Sequence, residues 1–146
     1  SLKGRKLWMW GDRLIDGRTT GLGEWEASYN NTWRAVDMIP KDVVICDWHY
    51  ERPDKTPVYF AMKGLSVVTC PWRMPDNAVL QVQDMVNFRN NSTTEMKNRF
   101  LGMVQTVWSG AEQFLDSYYG RRKEDGNNTP VNCFRALCKE IGKLDR

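Results

Sequence analysis

The sequence predicts an α/β fold made of four consecutive βα units with parallel strands. The first observation is a repeat, in which Val43 to Trp48 returns 24 residues later as Val67 to Trp72 with the same Cys-x-Trp ending. The second is that these apolar runs are rich in β-branched residues and do not alternate, which is typical of parallel strands covered on both faces. The third is that helical patterns with capping signals lie between the runs. Four such units in 146 residues amount to half of a (β/α)8 barrel.

Four short apolar runs that each end in tryptophan are the predicted strands. They are Leu7 to Trp10, Val43 to Trp48, Val67 to Trp72 and Val104 to Trp108. The closing tryptophans are 38, 24 and 36 residues apart, which leaves room in each interval for the helix that a parallel crossover requires. A small doubly wound sheet is the main alternative. Its Gly-rich phosphate loop is missing, because Gly21-x-Gly23 has neither a third glycine nor a preceding strand.

Helices are predicted after each of the last three strands and at the end of the chain. Thr56 as N-cap and Pro57 as the first helical residue begin one helix, and Gly64 ends it. Helical spacing of apolar residues predicts the others: Val79, Val82 and Val86 after a cap at Asp76 or Asn77; Ala111, Phe114, Leu115 and Tyr118; and, after Thr129-Pro130, Val131, Phe134, Cys138 and Ile141.

Composition argues against several classes of function. The 21 Lys and Arg and the 18 Asp and Glu are interspersed, so we expect neither a nucleic acid nor a membrane as partner. No apolar run is long enough to span a bilayer, and the first five residues carry no signal-peptide pattern. The four cysteines are irregularly spaced, so we expect reduced thiols, and no spacing suits zinc. We therefore expect no metal, no cofactor, and one domain over residues 1–146.

The placement of tryptophan is the main functional signal. The chain has seven Trp, and four of them, Trp10, Trp48, Trp72 and Trp108, close the predicted strands. Parallel α/β folds bind their ligands at the carboxyl ends of the strands. Flat indole rings along a shallow cleft suit the apolar faces of sugar rings. The sequence therefore predicts a carbohydrate-binding face, against the alternative that each indole only packs at the rim of the sheet.

Polar residues near the same strand ends are the candidates for bonding sugar hydroxyls: Asp12, His49, Glu51, Arg73 and Glu112. His49 is the only histidine, and it is equally interpreted as a partly buried structural donor. Asp47 and Glu51 share its strand parity, which would allow a charge relay, but charged residues beyond a strand end are more often solvated. Residues 16–32 form a long loop around Trp25, which is interpreted either as a lid or as a simple crossover.

Four segments together resemble the second half of glycoside hydrolase family 20, the β-N-acetylhexosaminidases and their bacterial relatives: Leu7 to Leu14, Val43 to Trp48, Lys63 to Val68 and Gly102 to Trp108. The resemblance covers essentially the whole chain and implies the carboxyl-terminal half barrel of a larger catalytic domain, with a periplasmic or secreted parent. Trp10, Asp12, Trp48 and Trp108 match in type and order the residues that build the family's sugar pocket.

The departures from the family affect its chemistry. The third strand ends Cys70-Pro71-Trp72-Arg73, without the family's Tyr and Asp, and the carboxylate after the fourth strand comes three residues late, at Glu112. The family's adjacent Asp-Glu pair has no strand-end counterpart, since Glu124-Asp125 falls in a polar turn. The resemblance therefore implies that this chain supplies the sugar-binding half of an active site and no catalytic residues. Alone it would be inactive, because it lacks the general acid.

A half barrel has two unpaired edges, and this predicts a partner. We expect either a homodimer or association with the missing amino-terminal half of the barrel. The alternative class of function is a noncatalytic carbohydrate-binding or assembly module, which would use the same face without belonging to an enzyme.

Overall fold

The computed structural model describes residues 4–22 and 28–144. Within them, four parallel strands form one sheet in the order β1-β2-β3-β4, with β1 at Trp8–Trp10, β2 at Val44–Asp47, β3 at Ser66–Thr69 and β4 at Phe100–Met103. The α/β fold of four βα units is confirmed. Each crossover leads to the neighbouring strand, as in a (β/α) barrel, whereas the order of a doubly wound sheet reverses at its centre.

Helices alternate with the strands. In the described residues they are α1 (Gly17–Thr20), α2 (Thr56–Met62), α3 (Pro75–Asn90), α4 (Thr94–Lys97), α5 (Ala111–Tyr118) and α6 (Pro130–Ile141), with 3-10 turns at Asp12–Leu14 and Thr32–Asp37. None of these helices combines the length and the apolar character that a membrane crossing would need.

Two of the predicted helix boundaries are confirmed and two are wrong. Thr129 caps α6 by accepting a hydrogen bond from the Asn132 amide at 3.1 Å, and Gly64 follows α2 with a left-handed φ of 82°. Thr56 is already helical, and its hydroxyl is occupied elsewhere in a buried hydrogen bond. The N-cap of α3 is Met74, because the proline that follows it supplies the first helical φ.

The main hydrophobic core lies on one face of the sheet. Ile45 of β2 and Val67 of β3 are paired in register, and both are fully buried together with Phe60 of α2 and Met85 of α3. The same core includes Phe100 of β4. This face therefore carries the helical layer, and its burial supplies most of the apolar area removed from water.

The opposite face of the sheet, which we call the inner face, carries the strand residues that alternate with those of the core. Trp8 and Trp10 of β1 are paired with Val44 and Cys46, and they remain 48% and 42% exposed. Val44, Val68 and Cys70 form a small second cluster on this face, with Cys46 and Trp48 packed against it. Large indoles exposed on a sheet face form an apolar patch of the kind that marks interaction sites.

The repeat in the sequence is offset by two residues in the sheet. Cys46 corresponds to Cys70 in the repeat, but its partner in the β2–β3 register is Val68. An offset of two keeps equivalent residues on the same face, because side chains alternate with a period of two. A stagger of this kind along successive strands is what a closing barrel needs.

The fourth strand lies four residues earlier than the sequence predicts. The prediction was Val104 to Trp108, whereas the strand is Phe100–Met103, with Phe100 buried against the helices. The chain beyond it stays extended, and the Val104 and Thr106 amides donate to the carbonyls of Thr69 and Pro71. The prediction therefore found the continuation of the strand past its paired part.

The apolar stripes predicted for the last two helices are also partly wrong. Ser117 is the one buried residue of α5, and Leu115 and Tyr118 of its predicted stripe are 44% and 37% exposed. In α6 the buried residues are Val131, Cys133, Leu137 and Glu140. The helix is rotated because it packs along α3, where Gln83 donates to Glu140 at 2.9 Å. Cys133 is buried and Cys138 exposed, as their spacing predicts.

Gly11 marks a close approach between the end of β1 and the core. A Cβ built on Gly11 would lie 2.6 Å from Cγ2 of Ile45 and 2.8 Å from Cζ of Phe60, two side chains that are 0% exposed. The Gly11 amide also donates to the Cys46 carbonyl at 3.1 Å, so the backbone cannot move away without losing this bond.

We expect Gly11→Ala to destabilise the fold by about 1–3 kcal/mol through overpacking. Gly110→Ala is the matched control, because a Cβ there meets nothing within 4 Å and its φ is −62°; it should cost less than about 1 kcal/mol as a change of N-cap. Urea unfolding of both variants measures the difference. Equal midpoints would contradict the close approach.

Candidate functional site

Five aromatic side chains meet at the carboxyl end of the sheet and form what we call the aromatic cluster: Trp10, Trp48, Tyr50, Trp72 and Trp108. The ring centroids of Trp10 and Trp108 are 6.4 Å apart. Tyr50 lies 4.9 Å from Trp48 and 5.3 Å from Trp72, and its hydroxyl accepts a hydrogen bond from Nε1 of Trp108 at 2.8 Å. The structure thus brings together all four tryptophans that the sequence places at strand ends.

Tyr50 is the centre of the aromatic cluster, and sequence reasoning missed it. It contacts three of the four tryptophans, two through ring packing and one through its hydroxyl. The available signal was parity, since Tyr50 follows Trp48 by two residues and extended chain returns to the same side every second residue.

A cleft of about 330 Å³ adjoins the aromatic cluster. Trp72 and Trp108 line it together with charged and polar residues from the following loops: Arg73, Arg122, Lys123, Glu124, Asp125 and Asn128. Glu124-Asp125 lie in a loop, as the sequence predicts, and this loop brings both to the cleft beside the indoles. Apolar faces and hydrogen-bonding groups therefore share one concave surface.

Three amide side chains hold the loops that carry the aromatic cluster. Asn77 donates to the carbonyls of His49 and Tyr50 at 2.9 and 3.0 Å, and Gln81 donates to the His49 carbonyl at 2.7 Å. Gln105 donates to the carbonyls of Trp72 and Pro130 at 3.1 and 2.7 Å. Sequence reasoning gave none of them this role. Buried amide donors of this kind fix loop carbonyls that would otherwise lack partners.

His49 lies between two carboxylates and is not one of the residues that line the cleft. Its Nε2 is 3.2 Å from Oδ1 of Asp47 and its Nδ1 is 3.0 Å from Oδ2 of Asp54, and both carboxylates are nearly buried. Burial lowers the pKa of His49, but the hydrogen bond and charge of Asp47 and the charge of Asp54 outweigh it and raise the pKa above 6.5. Of the two carboxylates that share the strand parity of His49, Asp47 therefore contacts it, whereas Glu51 pairs with Arg73.

The remaining predicted site residues are distributed unevenly. The Arg73 guanidinium stacks on Trp72, 4.4 Å from the ring centroid, and lies 3.5 Å from the Glu51 carboxylate at the edge of the cleft. Asp12 lies at the start of a 3-10 turn, with its carboxylate 3.3 Å from Nε of Arg13. Glu112 is exposed in the first turn of α5 and is not among the described residues that line the cleft.

The predicted lid is described except for residues 23–27 in its middle, and α1 (Gly17–Thr20) makes part of the stretch predicted as loop helical. Gly23, Trp25 and Glu26 belong to residues 23–27, and only the flanks of the loop are described. On these flanks the Ser28 hydroxyl donates to Asp16 at 2.6 Å and accepts from the Arg18 amide at 2.8 Å. Through the described ranges, no group of His, Cys, Asp and Glu is arranged to hold a metal ion, and all four cysteines are free.

Comparison with known proteins adds no family to this geometry. No protein-family model matches the sequence, and no curated protein matches it significantly. Interpretation of the site therefore depends on the residues that form it.

Proposed function

We propose that this chain is the carbohydrate-binding half of a (β/α)8-barrel glycoside hydrolase similar to family 20, and that its ligand is a β-linked amino sugar or a related glycan. The single observation that carries the proposal is the aromatic cluster, because its indoles converge at the carboxyl end of parallel strands beside a cleft with polar walls. This is the end at which enzymes of this architecture bind substrate.

The chemistry of the cleft supports a sugar over a purely apolar ligand. Trp108, which is 62% exposed, offers a ring face for the C–H face of a pyranose, with Trp72 and its stacked Arg73 beside it, while Glu124 and Asp125 offer acceptors for the hydroxyls. Arg73, Arg122 and Lys123 add donors on the same walls. A ligand with one apolar face and many hydroxyls uses both kinds of group.

We expect Trp48→Ala and Trp108→Ala to weaken the binding of chitotriose, an N-acetylglucosamine trisaccharide, by at least about 1 kcal/mol, or roughly fivefold, through loss of an aromatic surface. Trp33→Ala is the matched control, because Trp33 lies outside the aromatic cluster against Arg34. Calorimetric titration of the three variants and the unaltered chain measures the affinities. Equal affinities in all four proteins would show that these indoles only pack against their neighbours and do not bind the sugar.

We expect the purified chain to release no phenol from aryl β-N-acetylglucosaminides. In the substrate-assisted hydrolysis of family 20, an adjacent Asp-Glu pair orients the substrate's own acetamido nucleophile and protonates the leaving group, and no such pair follows a strand here. Glu124-Asp125 lines the cleft from a loop, so Glu124→Gln is the informative variant. Turnover that disappears in this variant would make the chain an enzyme by itself and contradict the expectation.

The open sheet supports the proposed partner. Among the described residues β1 is paired only with β2, and β4 only with β3, and the indoles of β1 are about half exposed. Covering several hundred Å² of such surface contributes on the order of 10 kcal/mol at about 25 cal/mol per Å². Association itself costs at least about 4 kcal/mol. We therefore propose that a second copy, or the other half of the barrel, covers the inner face.

We expect the chain to be dimeric in light scattering at low micromolar concentration, with β1 of each copy near β4 of the other. Trp8→Lys on the inner face should shift it towards the monomer, whereas Met62→Lys on α2, a residue already 72% exposed, should leave the dimer intact. A monomer that binds no hydrophobic dye would contradict the half-barrel interpretation.

A further inference from the structure

The loop after β2 carries two members of the aromatic cluster and one buried charge network between them. Trp48 and Tyr50 flank His49, whose side chain turns away from them to lie between Asp47 and Asp54. Asp47 is 2% exposed and also accepts a hydrogen bond from the Thr56 hydroxyl at 2.6 Å. Asp54 is bound on its other oxygen by Nε of Arg52 at 2.7 Å.

Only the doubly protonated imidazole satisfies this arrangement. A neutral imidazole carries one N–H, so one of its two nitrogens would present a lone pair to a carboxylate. The imidazolium donates from both nitrogens, and each of its bonds is then assisted by charge. The geometry is therefore that of a cationic bridge between the end of β2 and the residues that precede α2.

We propose that His49 is a positioning residue whose imidazolium fixes Trp48 and Tyr50, so that the aromatic cluster is assembled when His49 is protonated and loosens when it is not. The backbone carbonyls of His49 and Tyr50 are held from the other side by Asn77 and Gln81 of α3. The amides of α3 thus hold the backbone of His49 and Tyr50, while the His49 side chain ties the same loop to Asp47 and Asp54.

The groups that face the imidazole define its response to pH. Asp47 from β2 and Asp54 from the loop are negative, Arg52 is positive, and Thr56, Asn77 and Gln81 from the adjacent helices carry no charge. Burial lowers the pKa of His49, and the carboxylates more than offset this, so its pKa in the folded protein lies above the ordinary 6.5. The stabilisation is complete below about pH 6.5 and is lost as pH rises through the folded-state pKa.

The chain suits a direct test because His49 is its only histidine. Proton NMR follows the single imidazole Cε1–H signal and the indole Nε1–H signal of Trp108 from pH 5.5 to 8.5. We expect the imidazole to titrate above its ordinary pKa and the indole signal to shift with the same midpoint, because Trp108 donates to Tyr50. An imidazole midpoint at or below 6.5, or an indole signal that ignores it, overturns the proposal.

Two variants separate positioning from general loss of stability. Asp54→Asn keeps the histidine and removes one carboxylate, so the imidazole midpoint should fall and the indole shift should move with it. Asp84→Asn is the matched control, since Asp84 pairs with Lys55 at the surface and does not contact His49. If both variants move the indole midpoint equally, His49 has no special role.

A second measurement, the pH dependence of ligand binding, rests on the proposed function, and its outcome is judged separately from the NMR titrations. With chitotriose as the probe, affinity should fall by roughly threefold to tenfold on deprotonation of His49, the cost of ordering one or two side chains on binding. Binding that does not depend on pH overturns the positioning role and leaves the proposed function intact. Coupled NMR titrations without any chitotriose binding uphold the positioning role and contradict the proposed function.

Discussion

The rest of the structure depends on one constraint, which is that each parallel strand is added on the same side of the previous one. Crossovers between parallel strands are right-handed, so a sheet that grows in one direction receives every crossover helix on the same face. The core of Ile45, Val67 and Phe60 lies on that face. In the part of the chain that the structure describes, no crossover helix covers the other face, which carries indoles and small apolar residues instead.

The same constraint brings the candidate functional side chains together at the carboxyl end of the sheet. All four strands end on the same side, so the loops that follow them meet there, and side chains far apart in the chain form one cluster. Loops are held less firmly than strands, and here buried amides and a histidine between two carboxylates supply what strand pairing does not. Asn77, Gln81 and Gln105 bind loop carbonyls, while His49 joins the carboxylate of Asp47 at the end of β2 to that of Asp54 in the following loop. The aromatic surface is therefore held by polar groups beneath it.

The sequence predicts the strand order, the helices and the convergence of four tryptophans, because these follow from periodicity and from the geometry of parallel sheets. It does not predict which face of α6 is buried, since packing against α3 decides that. Nor does it reveal Tyr50, the bridge between Asp47 and Asp54, or the approach of Glu124-Asp125 to the cleft. Each of these depends on the path of a loop, and loop paths are set by long-range hydrogen bonds that leave no periodic trace.

The contact between Trp10 and Trp108 joins β1 to the chain that follows β4, the strand at the other edge of the sheet. Indole rings at such a distance and at a fixed tilt share their excited states, because their transition dipoles couple. The far-ultraviolet circular dichroism of this protein therefore contains an exciton contribution from its aromatic residues as well as the peptide signal. Helix content read from that spectrum would be distorted, whereas the size of the exciton signal would report how closely the first and last strands are drawn together.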